Sequence, residues 1–171
     1  MGRRIGWRRI GWRRIGPEDL AALGDGALGG AVGTAAFTGW LFGAQKAGLV
    51  GELPPRNVTR SALERGVGEP LPERTVDVAA SIAHLGFGVG VGALFGAIAH
   101  GLHARVPNVV LGAGFGALVW VASYAGWVPA LDLMPRPDED RRDRQWVNFV
   151  GHLLFGGILG VMTGAMTGRR R

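Results

Sequence analysis

Four stretches of this chain contain no Asp, Glu, Lys or Arg: residues 26–45, 78–104, 106–131 and 145–168. Each is at least 20 residues long, and about 20 mainly apolar residues span a bilayer core as a helix. A water-soluble helix needs a polar face, and none of these windows supplies a charged one. The windows therefore predict an all-α integral membrane protein with four transmembrane helices, at about 26–45, 76–102, 108–131 and 145–167. Mean hydropathy is only +0.19, because the charges are gathered into blocks between the windows.

Those blocks set an expected orientation. Arg3, Arg4, Arg8, Arg9, Arg13 and Arg14 precede the first window, and Arg169, Arg170 and Arg171 follow the last. The two longer loops carry nine basic and ten acidic residues between them. Basic excess beside the membrane marks the cytoplasmic side. Four spans place both termini on one side, so both are expected in the cytoplasm, with the loops near 46–77 and 132–144 outside. The organisation is a basic tail at 1–16, a four-helix domain at 17–168 and a basic end at 169–171.

The tail repeats Gly-Trp-Arg-Arg-Ile with a five-residue period. Five helical steps advance about 500°, so the arginine pairs share no face. The expected partner is anionic lipid headgroup, worth on the order of 1 kcal/mol per Arg near the surface; the alternative is a plain orientation signal. The charge would also suit nucleic acid, but the tail is short and tethered to membrane spans, so no nucleic-acid partner is expected.

Pro17-Glu18-Asp19 starts the first helix, since proline suits the first turn and carboxylates suit the positive end of the dipole. Asp25 falls at the inner edge, where it is expected to stay hydrated. In the first loop Pro54-Pro55 is expected to end one element, with Asn57 capping a short helix over 58–65 that Gly66 terminates. Thr75 or Asp77 is expected to cap the second span. Pro129 is expected to loosen the end of the third. The second loop reads as a solvated ion-pair cluster.

The 31 glycines lie largely inside the apolar windows, which points to close helix packing rather than a flexible linker. A shift of 68 residues lays the second span on the fourth, with seven identities over positions 84–97. His84 falls on His152, and Gly88, Gly92 and Gly96 fall on Gly156, Gly160 and Gly164. Spans one and three match more weakly, Gly29 on Gly112 and Gly33 on Gly116. Two repeated helical hairpins with glycine-mediated packing are expected. Residues four apart stay on one helix face, so each histidine heads a glycine stripe.

His84 and His152 form the candidate intramembrane polar site, because an ionisable group at depth suggests function. One reading is a proton-responsive or solute-binding pair where the second and fourth spans meet. The other is that each imidazole bonds a Ser, Thr or backbone carbonyl on a neighbouring helix. His100 and His103 fall at the inner interface. The chain has no cysteine, no His with Asp or Glu at ligand spacing, and no Ser-His-Asp, HExxH or phosphate-loop pattern. No catalytic residue, metal or cofactor is expected.

The Gly/Ala/Thr-rich first span (26–38), the Pro-Pro-Arg of 54–56, the His-Leu-Gly-x-Gly of 84–88 and the His-x-x-x-Gly of the last span resemble the YagU-like and related small multi-pass bacterial inner-membrane protein families. The resemblance covers roughly residues 20–166 and leaves the Arg-Trp repeat outside it. It implies a bacterial plasma-membrane location and, for one branch, a link to acid tolerance. It supplies no catalytic residues. Eighteen arginines against one lysine suggest a GC-rich bacterial genome. Two functions are expected: a non-enzymatic packing module, self-associating as an option, that supports envelope or acid-stress homeostasis; or a small-solute or proton transporter or channel with its site near His84 and His152.

Overall fold

The structure, a computed structural model, describes residues 16–102 and 106–169. The arginines of the N-terminal repeat, Arg170, Arg171 and His103 lie outside the described residues. Among the described residues five helices follow in order: α1 (Pro17–Lys46), α2 (Pro54–Val67), α3 (Glu73–Gly101), α4 (Asn108–Ala130) and α5 (Arg142–Gly168). Four of them, all but α2, are long and apolar enough to cross a membrane. The longest has 30 residues, about 45 Å at 1.5 Å per residue.

Large apolar side chains point outward. Leu118 is 67% exposed and Ile82 is 68% exposed, whereas Gly26, Gly30, Gly88, Gly92, Gly112 and Gly156 are buried. A water-soluble chain rarely leaves so much apolar surface uncovered. Lipid satisfies it, and the distribution is compatible with a multi-pass membrane protein.

Several glycines lie where the helices approach one another. A Cβ at Gly26 would lie 2.8 Å from the Gly96 Cα and closer still to the Gly92 carbonyl, so α1 and α3 meet backbone to backbone. Gly29 and Gly33 lie on another side of α1. There a Cβ would stand 3.0 Å from a Leu159 methyl or 2.8 Å from the Phe155 carbonyl of α5. On α4, a Cβ at Gly112 would lie 2.8 Å from the Gly160 Cα. The helices therefore run α3, α1, α5, α4 across the bundle, with α1 packed on both α3 and α5. Across the remaining gap, α3 and α4 meet through aromatic side chains, Phe95 with Phe115 at 5.2 Å and Phe87 with Trp127 at 6.3 Å between ring centroids.

Several local expectations are corrected. Pro54 and Pro55 do not end an element; they occupy the first turn of α2 after Leu53, where no N–H is needed and φ is already helical. Asn57 is inside that helix, and the stop is Gly68 at φ +84° rather than Gly66. The α3 helix starts after Pro72 without a side-chain cap, so Thr75 and Asp77 fall within it. Asp25 is buried, 2% exposed, because it lies one turn before Gly29 on the side of α1 that α5 approaches.

Near its end α4 widens into a π turn over Ser123–Trp127. The Val128 N–H reaches back to the Ser123 carbonyl, and Gly126 leaves helical geometry at φ −108°, ψ −106°. Pro129 has no N–H to give to the carbonyl four residues earlier, which removes one rung of the ladder at this point. Such widened turns are frequent at functional sites.

Candidate functional site

At the α2 end of the bundle lies a cavity of about 310 Å³. Its apolar lining includes Phe37, Val58, Phe87, Trp127 and Phe155; its polar lining is Thr34, Thr59, His84, Ser123, Tyr124, Asn148 and His152. The lining residues include no Asp, Glu, Lys or Arg. Four elements supply it from the bundle and α2 covers it, through Pro54, Pro55, Val58 and Thr59.

Both histidines singled out in the sequence reach this cavity, but not through a contact of their own helices. Helix α1 runs between α3 and α5 and inserts Phe37, which is 5% exposed. The Phe37 ring stands 5.6 Å from the His84 ring and 4.8 Å from the His152 ring, edge-on to both. Phe37 therefore brings the second and fourth spans' imidazoles against one ring. Gly151 makes room for it, since a Cβ there would collide with the Phe37 ring.

The hydrogen bonding also differs from expectation. The His152 Nδ1–H donates to the Asn148 carbonyl at 2.8 Å, one turn back on its own helix rather than on a neighbour. This fixes the tautomer of the neutral ring and leaves Nε2 as its acceptor. The His84 Nε2 is buried with no hydrogen-bond partner. Thr34 donates to the Gly30 carbonyl at 2.7 Å and Ser123 to the Val119 carbonyl at 2.7 Å; each keeps acceptor lone pairs. His100, at the opposite end of α3, stands 3.8 Å from the Asp19 carboxylate. Among the described residues no three His, Asp or Glu side chains come together as metal ligands.

The sequence did not reveal Asn148, Ser123, Thr34 or the role of α2. Only Pro129 signalled an irregular turn, and that turn carries Ser123, Tyr124 and Trp127 into the lining. Tyr124 is in turn held by its hydroxyl, which donates to Asp140 at 2.5 Å. Asp140 also stands 3.4 Å from Arg144, and its side chain is only 3% exposed. The second loop is thus more than a solvated ion-pair cluster, because it anchors one wall of the cavity.

Helix α2 is held over the cavity by two sets of contacts. Arg56 pairs with Glu52, Glu73 and Asp77. Arg60 pairs with Glu73 at 2.8 Å and Glu52 at 3.2 Å. At the far end, Arg65 donates to the Asp132 carbonyl at 2.9 Å and to the Leu131 carbonyl. Asp77 and then Glu73, both accepting from Arg56, hold that guanidinium above its ordinary pKa, so it stays charged at any working pH. Exposed ion pairs are screened by salt. Arg56→Ala is expected to raise amide exchange in α2 several-fold at low salt while leaving the middle of α3 unchanged. Wild-type exchange should rise toward the variant's as salt nears about 1 M, which hydrogen–deuterium exchange in nanodiscs would read.

No protein-family model matches this chain, and no curated protein or solved structure matches it.

Proposed function

We propose that this is a multi-pass protein of a bacterial plasma membrane, with both termini cytoplasmic, that binds a small solute in the chamber beneath α2 as a step in moving it across the membrane. One observation carries the reading: His84 and His152, 68 positions apart, line the same cavity, each ring against Phe37. In this orientation the chamber lies toward the outer surface and α2 roofs it. The Arg-Trp tail contacts anionic headgroups on the cytoplasmic side.

The hairpins α1–α3 and α4–α5 are read as repeats held by glycine. Their contacts support this: Gly30 faces Gly88 and Gly92, and Gly112 faces Gly156 and Gly160. On these contacts Gly112 is equivalent to Gly30, one residue from the Gly29 match that the sequence favours. The second reading is a non-enzymatic packing module, self-associating as an option and supporting envelope or acid-stress homeostasis. The same close backbone approaches favour it, since they need no solute.

Flux separates the two. Proteoliposomes would be tested for proton flux with an internal pH-sensitive dye and for glycerol uptake by light scattering. Transport predicts flux above empty liposomes that falls at least tenfold, roughly one lost hydrogen bond, when His84→Ala and His152→Ala are combined. Folded protein with no flux of either probe would remove the transport reading and leave the packing module.

A further inference from the structure

We propose that the chamber takes an uncharged molecule of about a dozen non-hydrogen atoms, an apolar body bearing one O–H donor, which docks its hydroxyl on Nε2 of His152. The inference rests on the solute-binding reading above and names the class of solute. Size comes first. A cavity of about 150 Å³ holds benzene, and this one, at about 310 Å³, has roughly twice that room. Charge comes second. With no acidic or basic side chain besides the two imidazoles in the lining, an ionic ligand would be desolvated without a fixed counter-charge, which is costly.

Polarity comes third. The Asn148 carbonyl takes the Nδ1 proton of His152, so the neutral ring offers the cavity an acceptor and no donor. A ligand hydroxyl is the complementary group. The hydroxyl is engaged at His152, beside the Phe37 ring, while the apolar body lies toward Phe87, Val91 and Trp127. Phe87 is 42% exposed and Trp127 41% exposed, and both line the cavity. The chamber therefore reaches the surface at the gap between α3 and α4, where an apolar molecule dissolved in lipid enters sideways.

The test uses full-length protein in nanodiscs and three matched probes, phenylpropanol, its methyl ether and propylbenzene, with phenylpropylammonium as the charged comparison. Binding is read by ligand-observed NMR against empty nanodiscs and against Val119→Trp, which fills the chamber. Phenylpropanol is expected to bind about tenfold tighter than propylbenzene, one net hydrogen bond, and the methyl ether to bind like the hydrocarbon. His152→Phe should abolish the difference without weakening propylbenzene, and His152→Gln, which restores an acceptor, should recover part of it. Equal binding of alcohol, ether and hydrocarbon, each lost in Val119→Trp, would overturn the ligand class and leave the chamber as a binding site. Tightest binding by the ammonium would overturn it too. Binding of no probe above the Val119→Trp level would sink the chamber reading and this inference with it. The alcohol–ether comparison in wild type decides the matter even where His152→Phe does not fold.

Discussion

Gly112→Ala is expected to disrupt the α4–α5 pair. The added Cβ would lie 2.8 Å from the Gly160 Cα and closer to the Gly156 carbonyl. Both obstacles are backbone, so no side chain can swing aside; the helices must separate. Overpacking usually costs about 1–3 kcal/mol, and a backbone collision between two long helices belongs at or above the top of that range. The matched control is Gly114→Ala on the same helix, where nothing lies within 4 Å of the new Cβ. There the change should be neutral or stabilising, since alanine is favoured over glycine in a helix by about 1 kcal/mol. Thermal unfolding in detergent, followed by circular dichroism, compares the two. Equal midpoints for both variants would sink the claim that this approach needs glycine.

Phe37→Ala is expected to be the most damaging side-chain truncation in the α2 half of the bundle. Phe37 is 5% exposed and belongs to the buried cluster with Leu41, Val147, Phe155 and Leu159. Its removal leaves a void against both histidines and Gly151. Aromatic-to-alanine changes in packed cores cost about 3–5 kcal/mol. Between membrane helices the loss is mainly of dispersion contact, so we expect the lower part of that range, about 3 kcal/mol. Phe37→Leu should recover more than half of it. Equilibrium unfolding in mixed micelles measures both, and a Phe37→Ala variant as stable as wild type would remove Phe37 as the keystone of the site. A chamber enlarged by the void should also admit propylbenzene more readily, which separates lost packing from lost binding.

The α2 lid shows how chemistry can be legible while its role is not. Pro54-Pro55 was visible as punctuation in the sequence, yet proline opens a helix as readily as it closes one. What decided between these was where the chain had to go next, over the top of the bundle. Arg56, Arg60 and Arg65 looked like ordinary loop charges. Their partners on α3 and after α4 lie 13 to 67 positions away, beyond the reach of any local pattern. Asp25 misled in the opposite direction. An acid at the edge of an apolar window looks hydrated, and it was buried by the approach of a helix more than a hundred residues later.

The sequence by itself determined the four long helices, because absence of charge over 20 residues leaves backbone polar groups no partners in lipid except one another. It also marked His84 and His152 as the two ionisable groups deep within those helices. The order of the helices was not legible. Glycines at 26, 29, 30 and 33 all lie along α1, and only the assembled bundle shows that 26 and 30 receive α3 while 29 and 33 receive α5. That division places α1 against both histidine-bearing helices and sets Phe37 against both their rings. Helical spacing says which residues share a face; it does not say which neighbour takes the face, because that depends on how all the helices pack at once. The row of glycines leading from each histidine was sequence; the chamber the histidines share was decided by packing.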